Sequence, residues 1–321
     1  CAARRWGMKK ESDATLVDQS LGFAIGQTWE SYWFLPSGSQ SLAVVRIMTG
    51  MLGLLLCMSY GNDLSGWFGP SGWLPVDSVT AWRSPFAFSI FDASGTNAGL
   101  TSTFFVLVSL FILLTIGFVT PVTSLLTALG WASLLHRGPM LAGPADDCMA
   151  VLLWCLVVGT SGEHLSVDAM LHKKLGWQPP RSRVRSRIAS GLLQIHAVVI
   201  SGAALLSQLK GDVWWNGTAI WWIATRKPGR LFDVTDVLLQ SEYVCNVLTH
   251  GIILWEVLVV GGIWFASTQK VIARAGLVIW PIVGILTACP LWGVVMAVMT
   301  IPLAQFFEAE HRIHSQTSEK N

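Results

Sequence analysis

Uninterrupted apolar runs, rather than one-sided stripes, organise this chain. Ser41–Tyr60 reads SLAVVRIMTGMLGLLLCMSY with Arg46 as its one charge, Leu100–Val119 carries none, and Cys245–Ala266 carries only His250 and Glu256. A helix needs about 20 apolar residues to cross the hydrocarbon of a bilayer. Helices apolar on every side cannot be hidden in such number inside a soluble domain. Eight segments are expected to cross: 41–60, 100–119, 121–135, 147–160, 188–207, 245–266, 272–289 and 290–306, the last two parted by little more than Pro290. The expected fold is therefore all-α, a polytopic helical membrane protein of about eight transmembrane helices with interfacial outer loops. It divides into an N-terminal interfacial segment (1–40), the transmembrane domain (41–306) and a short polar tail (307–321), with no soluble domain after residue 306.

Composition agrees, and charge placement adds an orientation. Only 12% of the 321 residues are charged, about half the share usual in soluble domains. With the N-terminus inside, the inner segments hold fourteen basic residues (Arg4, Arg5, Lys9, Lys10, Lys173, Lys174, Arg181, Arg183, Arg185, Arg187, Lys270, Arg274, Arg312, Lys320). The outer ones hold six (Arg83, Arg137, Lys210, Arg226, Lys227, Arg230). The positive-inside rule then predicts an even number of spans with both termini cytoplasmic. The basic stretch Lys173–Arg187 reads as a cytoplasmic anchor touching anionic headgroups, not as a nucleic-acid patch. The six cysteines lie mostly within apolar spans without metal-ligand spacing, so free buried thiols and no metal are expected. Cys1 is open to two readings, a lipid-modified residue or the start of a truncated chain. The outer stretches GWFGPSGWLP (66–75) and VWWNGTAIWW (213–222) mix aromatics with glycine and proline and are expected to lie along the membrane interface. Asn216-Gly217-Thr218 matches a glycosylation sequon, a short motif that chance also supplies.

Ionisable residues inside the hydrocarbon are costly and mark candidate chemistry. Arg46 either snorkels to the inner interface or pairs with an acid of a neighbouring helix. Asp146 and Asp147 open the fourth span, where one acid complements the helix dipole and the second needs another reason. His196 lies mid-span in LLQIHAVVI. His250 and Glu256, six positions apart, stand roughly 120° apart around their helix. They can reach one interior cavity from different angles, as a general acid or base would, or join helices by hydrogen bonds.

Taken in order, these pieces resemble one family. Ser41-Leu42-Ala43-Val44-Val45-Arg46 with Gly50, Leu114-Thr115-Ile116-Gly117-Phe118, Arg137 with Asp147, Ser166-Val167-Asp168-Ala169, Leu193-Gln194-Ile195-His196, Ser201-Gly202-Ala203, Trp214-Trp215-Asn216-Gly217-Thr218-Ala219, and His250 with Glu256 are similar to the vitamin K-dependent γ-carboxylases. They are similar also to the bacterial relatives of those enzymes, the horizontally transferred transmembrane (HTTM) domain proteins. The resemblance covers about residues 30–265. It implies an eight-span domain, a bacterial inner-membrane setting, and a family chemistry in which a reduced naphthoquinone is oxygenated and glutamate side chains are carboxylated. This sequence departs from that chemistry. Where the family's initiating lysine is expected the chain has Gln208 or Leu209, with Lys210 one or two residues late. Asp147 stands for a catalytic histidine, Ile279-Trp280-Pro281 for another, and the large substrate-presenting domain is absent.

Two functions follow from this reading. One is a quinone-linked membrane enzyme with Lys210, Asp147, His250 and Glu256 as catalytic candidates and Arg46, His196 and Trp214 as substrate-binding ones, carboxylation itself being unexpected. The other is a non-catalytic membrane subunit or lipid- or partner-binding scaffold whose polar residues hold helices together. Membrane lipid, a quinone-like molecule and another membrane protein are the expected partners, and nucleic acid is not. A transporter lacks support, since no repeat symmetry or pair of interrupted helices is visible.

Overall fold

The computed structural model of this protein describes residues 29–30, 32–34, 39–176, 183–225 and 241–318, with backbone alone at 183, 266 and 305–318. The basic positions 4, 5, 9, 10, 181, 226, 227, 230 and 320, and Cys1, lie outside the described residues, while Arg312 is described by its backbone only. The described residues are helical throughout, without a β-strand. Eight longer helices are α1 (Gln40–Gly61), α4 (Asn97–Ile116), α5 (Thr120–Arg137), α6 (Pro144–Val158), α8 (Arg183–Gln208), α11 (Glu242–Val257), α12 (Ala266–Leu286) and α13 (Pro290–Ser318). Between them run α2 (Leu64–Phe68), α3 (Val76–Trp82), a 3₁₀ turn (Ile90–Ala93), α7 (Val167–Leu175), α9 (Asp212–Trp215) and α10 (Ala219–Thr225). A π-helical turn, Leu258–Gly262, continues α11.

Five helices are long and apolar enough to cross a membrane: Gln40–Gly61, Asn97–Ile116, Val184–Gln208, Glu242–Gly262 and Ser267–Leu286. The other three expected spans are helices too, but Pro144–Val158 has 15 residues, the apolar part of α13 is the short Pro290–Ala304, and α5 carries a polar face of buried Thr120, Thr123, Ser124, Thr127 and Ser133. The five-helix set makes the chain an apolar, all-helical membrane-type protein.

The packing explains why the spans look apolar all round. In α1, 61% of the apolar window is buried, against 28% in α4. The first is therefore a central helix and the second a rim helix that offers Phe105, Val106 and Ile112 to its surroundings. Both need apolar residues on every side, one to meet protein and the other to meet hydrocarbon. Small residues set the closest crossings. A side chain at Gly53 would run into the Phe111 ring. One at Gly284 would lie 2.9 Å from the Gly293 Cα, so α12 and α13 touch backbone to backbone. This tight hairpin turns through Thr287–Cys289, with Ala288 at φ 59, and accounts for two apolar runs separated by little more than a proline.

Helix ends alternate between two faces of the bundle. One face, rich in loops, holds α2, α3, the 3₁₀ turn, α9 and α10. The opposite face holds the turn at Gly117, helix α7 and Tyr32. Burial pushes the Tyr32 phenol up to about 12, and Arg187 lies 5.3 Å over its ring while donating through Nε to the Tyr32 carbonyl.

Candidate functional site

The last residue of α8 meets the last turn of α11. Gln208 Nε2 donates to Glu256 Oε1 at 3.0 Å. Glu256 is 1% exposed, and its second oxygen has no hydrogen-bond partner, nor has Gln208 Oε1. Buried acceptors of this kind are rare, because leaving them unmade costs about 1–3 kcal/mol each. Next to Glu256 on α11, Trp255 is buried with its indole N–H also unpartnered.

From there a row of indoles crosses the bundle. Trp255 packs edge-on against Trp280 of α12, with ring centroids 5.9 Å apart, and Trp280 against Trp292 of α13 at 5.6 Å. Trp292 lies against the Cys148 thiol of α6. Trp280 is fully buried, and its N–H has no partner either. The row thus links the start of α6, where Asp146 and Asp147 stand, to Gln208 and Glu256.

The two adjacent acids divide. Asp146 is buried, faces the Tyr60 hydroxyl, and accepts the Gly143 N–H at 2.7 Å. Asp147 is exposed. Lys210 is exposed beyond the end of α8, where its backbone N–H turns back to the Ser207 carbonyl at 3.4 Å. His250 is exposed on α11 with Nδ1 3.0 Å from the Asn246 carbonyl one turn back. Among the described residues, no hydrogen bond or ion pair joins Lys210, Asp147 or His250 to Glu256 or to each other. His196 is half-buried and its Nδ1 lies 2.7 Å from the Leu192 carbonyl, a bond within its own helix. Trp214 packs against the core from α9. The turn after it, Gly217 at φ 71, is held by Thr249, whose hydroxyl lies 3.0 Å from the Gly217 carbonyl. A side chain at Gly217 would strike Asn246 and crowd His250.

Arg46 sits at the opposite face, buried rather than snorkelling, and acts on Asp168 through space without an ion-pair contact among the described residues. Fully buried, it donates to the carbonyls of Ser161 at 2.5 Å, His164 at 3.4 Å and Leu165 at 2.5 Å. Gly117, at φ 70, closes over it, and a Cβ there would lie 2.9 Å from the guanidinium carbon. Asp168 accepts from the Val119 and Thr120 N–H groups, both at 2.7 Å, and so caps α5 from another helix. The sequence pieces around Arg46, Gly117 and Ser166–Asp168 are therefore one assembly, a clamp that fixes backbone. Arg46 commits both terminal nitrogens to these carbonyls, and its buried Nε has no hydrogen-bond partner.

Three residues of the row escaped the sequence reading. Nothing in the spacing of Trp255, Trp280 and Trp292 marks them as interior, and Trp280 stands out in the sequence only within the Ile279-Trp280-Pro281 stretch where a histidine is expected. Gln208 was noted only as standing where a lysine is expected. The available signal is that displacement itself, a polar side chain at the last position of the helix. Among the described residues, no three His, Cys, Asp or Glu side chains converge as a metal would require. The chain matches no family model, no curated protein and no solved structure.

Proposed function

We propose that this chain is an integral membrane protein of the HTTM type, with eight spans and cytoplasmic termini, that binds a quinone-like molecule beside Glu256 and does not carry out glutamate carboxylation. The observation that carries the reading is the Gln208–Glu256 pair, with one oxygen of each side chain buried and unpartnered. Two acceptors and the Trp255 N–H donor suit a flat molecule bearing hydroxyl or carbonyl oxygens. The residues therefore fit a reduced naphthoquinone, which would be held by Glu256, Gln208 and Trp255. Such a molecule, when bound, supplies two acidic hydroxyls and a pair of electrons.

Gln208 limits what the site can do. An amide donates and accepts hydrogen bonds but takes no proton near neutral pH, so the initiating base of the resembled family has no counterpart beside Glu256. Lys210 is exposed. Glu256 is the ionisable member of the pair and the one able to accept a hydroxyl proton. Scaffold duty is the second reading, and exposed His250 and Asn246 on an otherwise apolar helix support it, since polar groups facing hydrocarbon favour a helix partner.

The test uses the purified protein in lipid nanodiscs with reduced menadione, following tryptophan quenching for binding and mass spectrometry under oxygen for epoxide. Saturable quenching, weakened about tenfold in Glu256→Leu and unchanged in Lys210→Ala, without epoxide, is the expected result. Absence of saturable binding by folded protein would sink the quinone reading. Epoxide that disappears in Lys210→Ala would restore lysine-driven chemistry and overturn the role given to Gln208.

A further inference from the structure

The segment between α1 and α4 is stapled to the end of α5 by polar contacts. Ser89 Oγ donates to the Ser133 carbonyl at 2.7 Å, the Ile90 N–H donates to Ser133 Oγ at 2.6 Å, and His136 Nδ1 lies 3.0 Å from the Phe88 carbonyl. Within this staple two arginines share one aspartate. Arg83 Nη2 lies 2.7 Å from Asp92 Oδ2, while Arg137 Nε stands 3.7 Å from Asp92 Oδ1. Arg83 also donates to the His136 carbonyl at 3.3 Å, and Arg137 Nη2 to the Phe68 carbonyl at 2.9 Å, with the Phe68 ring 5.4 Å over its guanidinium.

The cluster is one acid short. Arg137 has a side chain 1% exposed, yet its Nε and Nη1 have no hydrogen-bond partner, nor has Asp92 Oδ1. A planar carboxylate with two oxygens serves the Arg83 fork and misses the Arg137 one. A tetrahedral phosphate, with more acceptor oxygens, reaches both, and guanidinium pairs are suited to it. Around this charge the same segment exposes Trp73, Trp82, Phe86, Phe88 and Ile90, with Phe86 at 96%. Apolar patches of this kind outside the spans mark contact with another apolar phase, and aromatics beside a cation are the usual signature of the headgroup layer.

We propose that Arg83 and Arg137 form a phosphate site for a membrane phospholipid, with Asp92 as the built-in anion that the headgroup displaces and the exposed aromatics as the surface that receives its glycerol and upper acyl chains. The occupant is a lipid rather than free phosphate, because the apolar patch lies on the segment that carries Arg83 and Asp92 and that is stapled to Arg137 at the end of α5. Asp92 is carried by a four-residue 3₁₀ turn, which can shift without disturbing a transmembrane helix.

Native mass spectrometry of the detergent-purified protein tests this, using dioleoyl phosphatidylglycerol, dioleoylglycerol (the same chains without phosphate) and inorganic phosphate. Retention of phosphatidylglycerol but not dioleoylglycerol is expected. Arg83→Gln should reduce that retention about tenfold, the usual effect of losing a charge-assisted pair. Asp92→Asn should increase it, an outcome that a purely structural Asp92 would not produce. Arg83→Lys, which keeps the charge, should retain lipid partially and serves if Arg83→Gln fails to fold by tryptophan melting. Equal retention of dioleoylglycerol, or loss of lipid in Asp92→Asn, would overturn the proposal. Protection against melting by inorganic phosphate equal to that by the lipid would replace the lipid with a free anion and overturn it as well.

Discussion

Gln208 and Glu256 come from different helices and meet through one hydrogen bond of 3.0 Å, leaving each with an oxygen that nothing satisfies. The pair therefore binds α8 to α11 less than it withholds from either. Its polar capacity is stored and unspent.

Stability and binding should separate at this pair. Glu256→Gln keeps an acceptor for Gln208 Nε2 while removing a buried acid, so thermal unfolding in detergent is expected to stay within about 1 kcal/mol of the parent or improve. Binding of reduced menadione should fall in the same variant. A large loss of stability with binding intact would show that Glu256 serves the fold alone.

Arg46 should behave oppositely. Removing it strands the carbonyls of Ser161, His164 and Leu165 in a buried turn, and Arg46→Ala is expected to cost on the order of 3 kcal/mol. Lysine cannot reproduce the fork that reaches three carbonyls, so Arg46→Lys should recover only part of this. Equal melting temperatures for all three proteins would refute the clamp.

Glycine substitutions should sort by what surrounds them. Gly293→Val drives a side chain into the Trp280 carbonyl and the α12 backbone, and a loss of about 3 kcal/mol or failure to accumulate is expected. At Gly251 nothing lies within 4 Å, so Gly251→Ala should change stability by less than about 0.5 kcal/mol. Expression level and melting of the two variants, side by side, make the measurement.

The proposed topology would place Lys173 and Lys210 on opposite sides of the membrane, since one candidate span, α8, separates them. Single cysteines at these positions, in a background lacking the native ones, should label from opposite sides with a membrane-impermeant maleimide. Labelling of both from one side would remove α8 as a span and change the parity of the whole count.

Much of the fold was legible because hydrocarbon imposes a strong rule: each of the five long apolar helices appears as an uninterrupted run. Legibility faded where a helix is short or half polar, as in α5, whose threonines and serines are buried against neighbours instead of shown to lipid. At the candidate site, Glu256 was recognisable as a charge inside a span. Which of Asp146 and Asp147 turns inward was not, because adjacent residues differ by only 100° of helix rotation and a two-residue shift decides. Lys210 was picked for its chemistry, but the helix ends at Gln208, and past that point a side chain no longer follows the helix face. Arg46 is expected to meet water or an acid; Asp168 does act on it through space, but its direct hydrogen bonds go to carbonyls, partners that no residue type announces.

The cap on α5 has a consequence for the order of synthesis. Thr120 emerges 48 residues before Asp168, whose carboxylate holds its N–H and hydroxyl. The Val119–Thr120 turn is thus finished by a part of the chain that the ribosome has yet to make, two helices later. Until then the first turn of α5 has nothing but water or headgroups at its open amides. The start of α5 is thus a provisional structure, and the arrival of α7 makes it permanent.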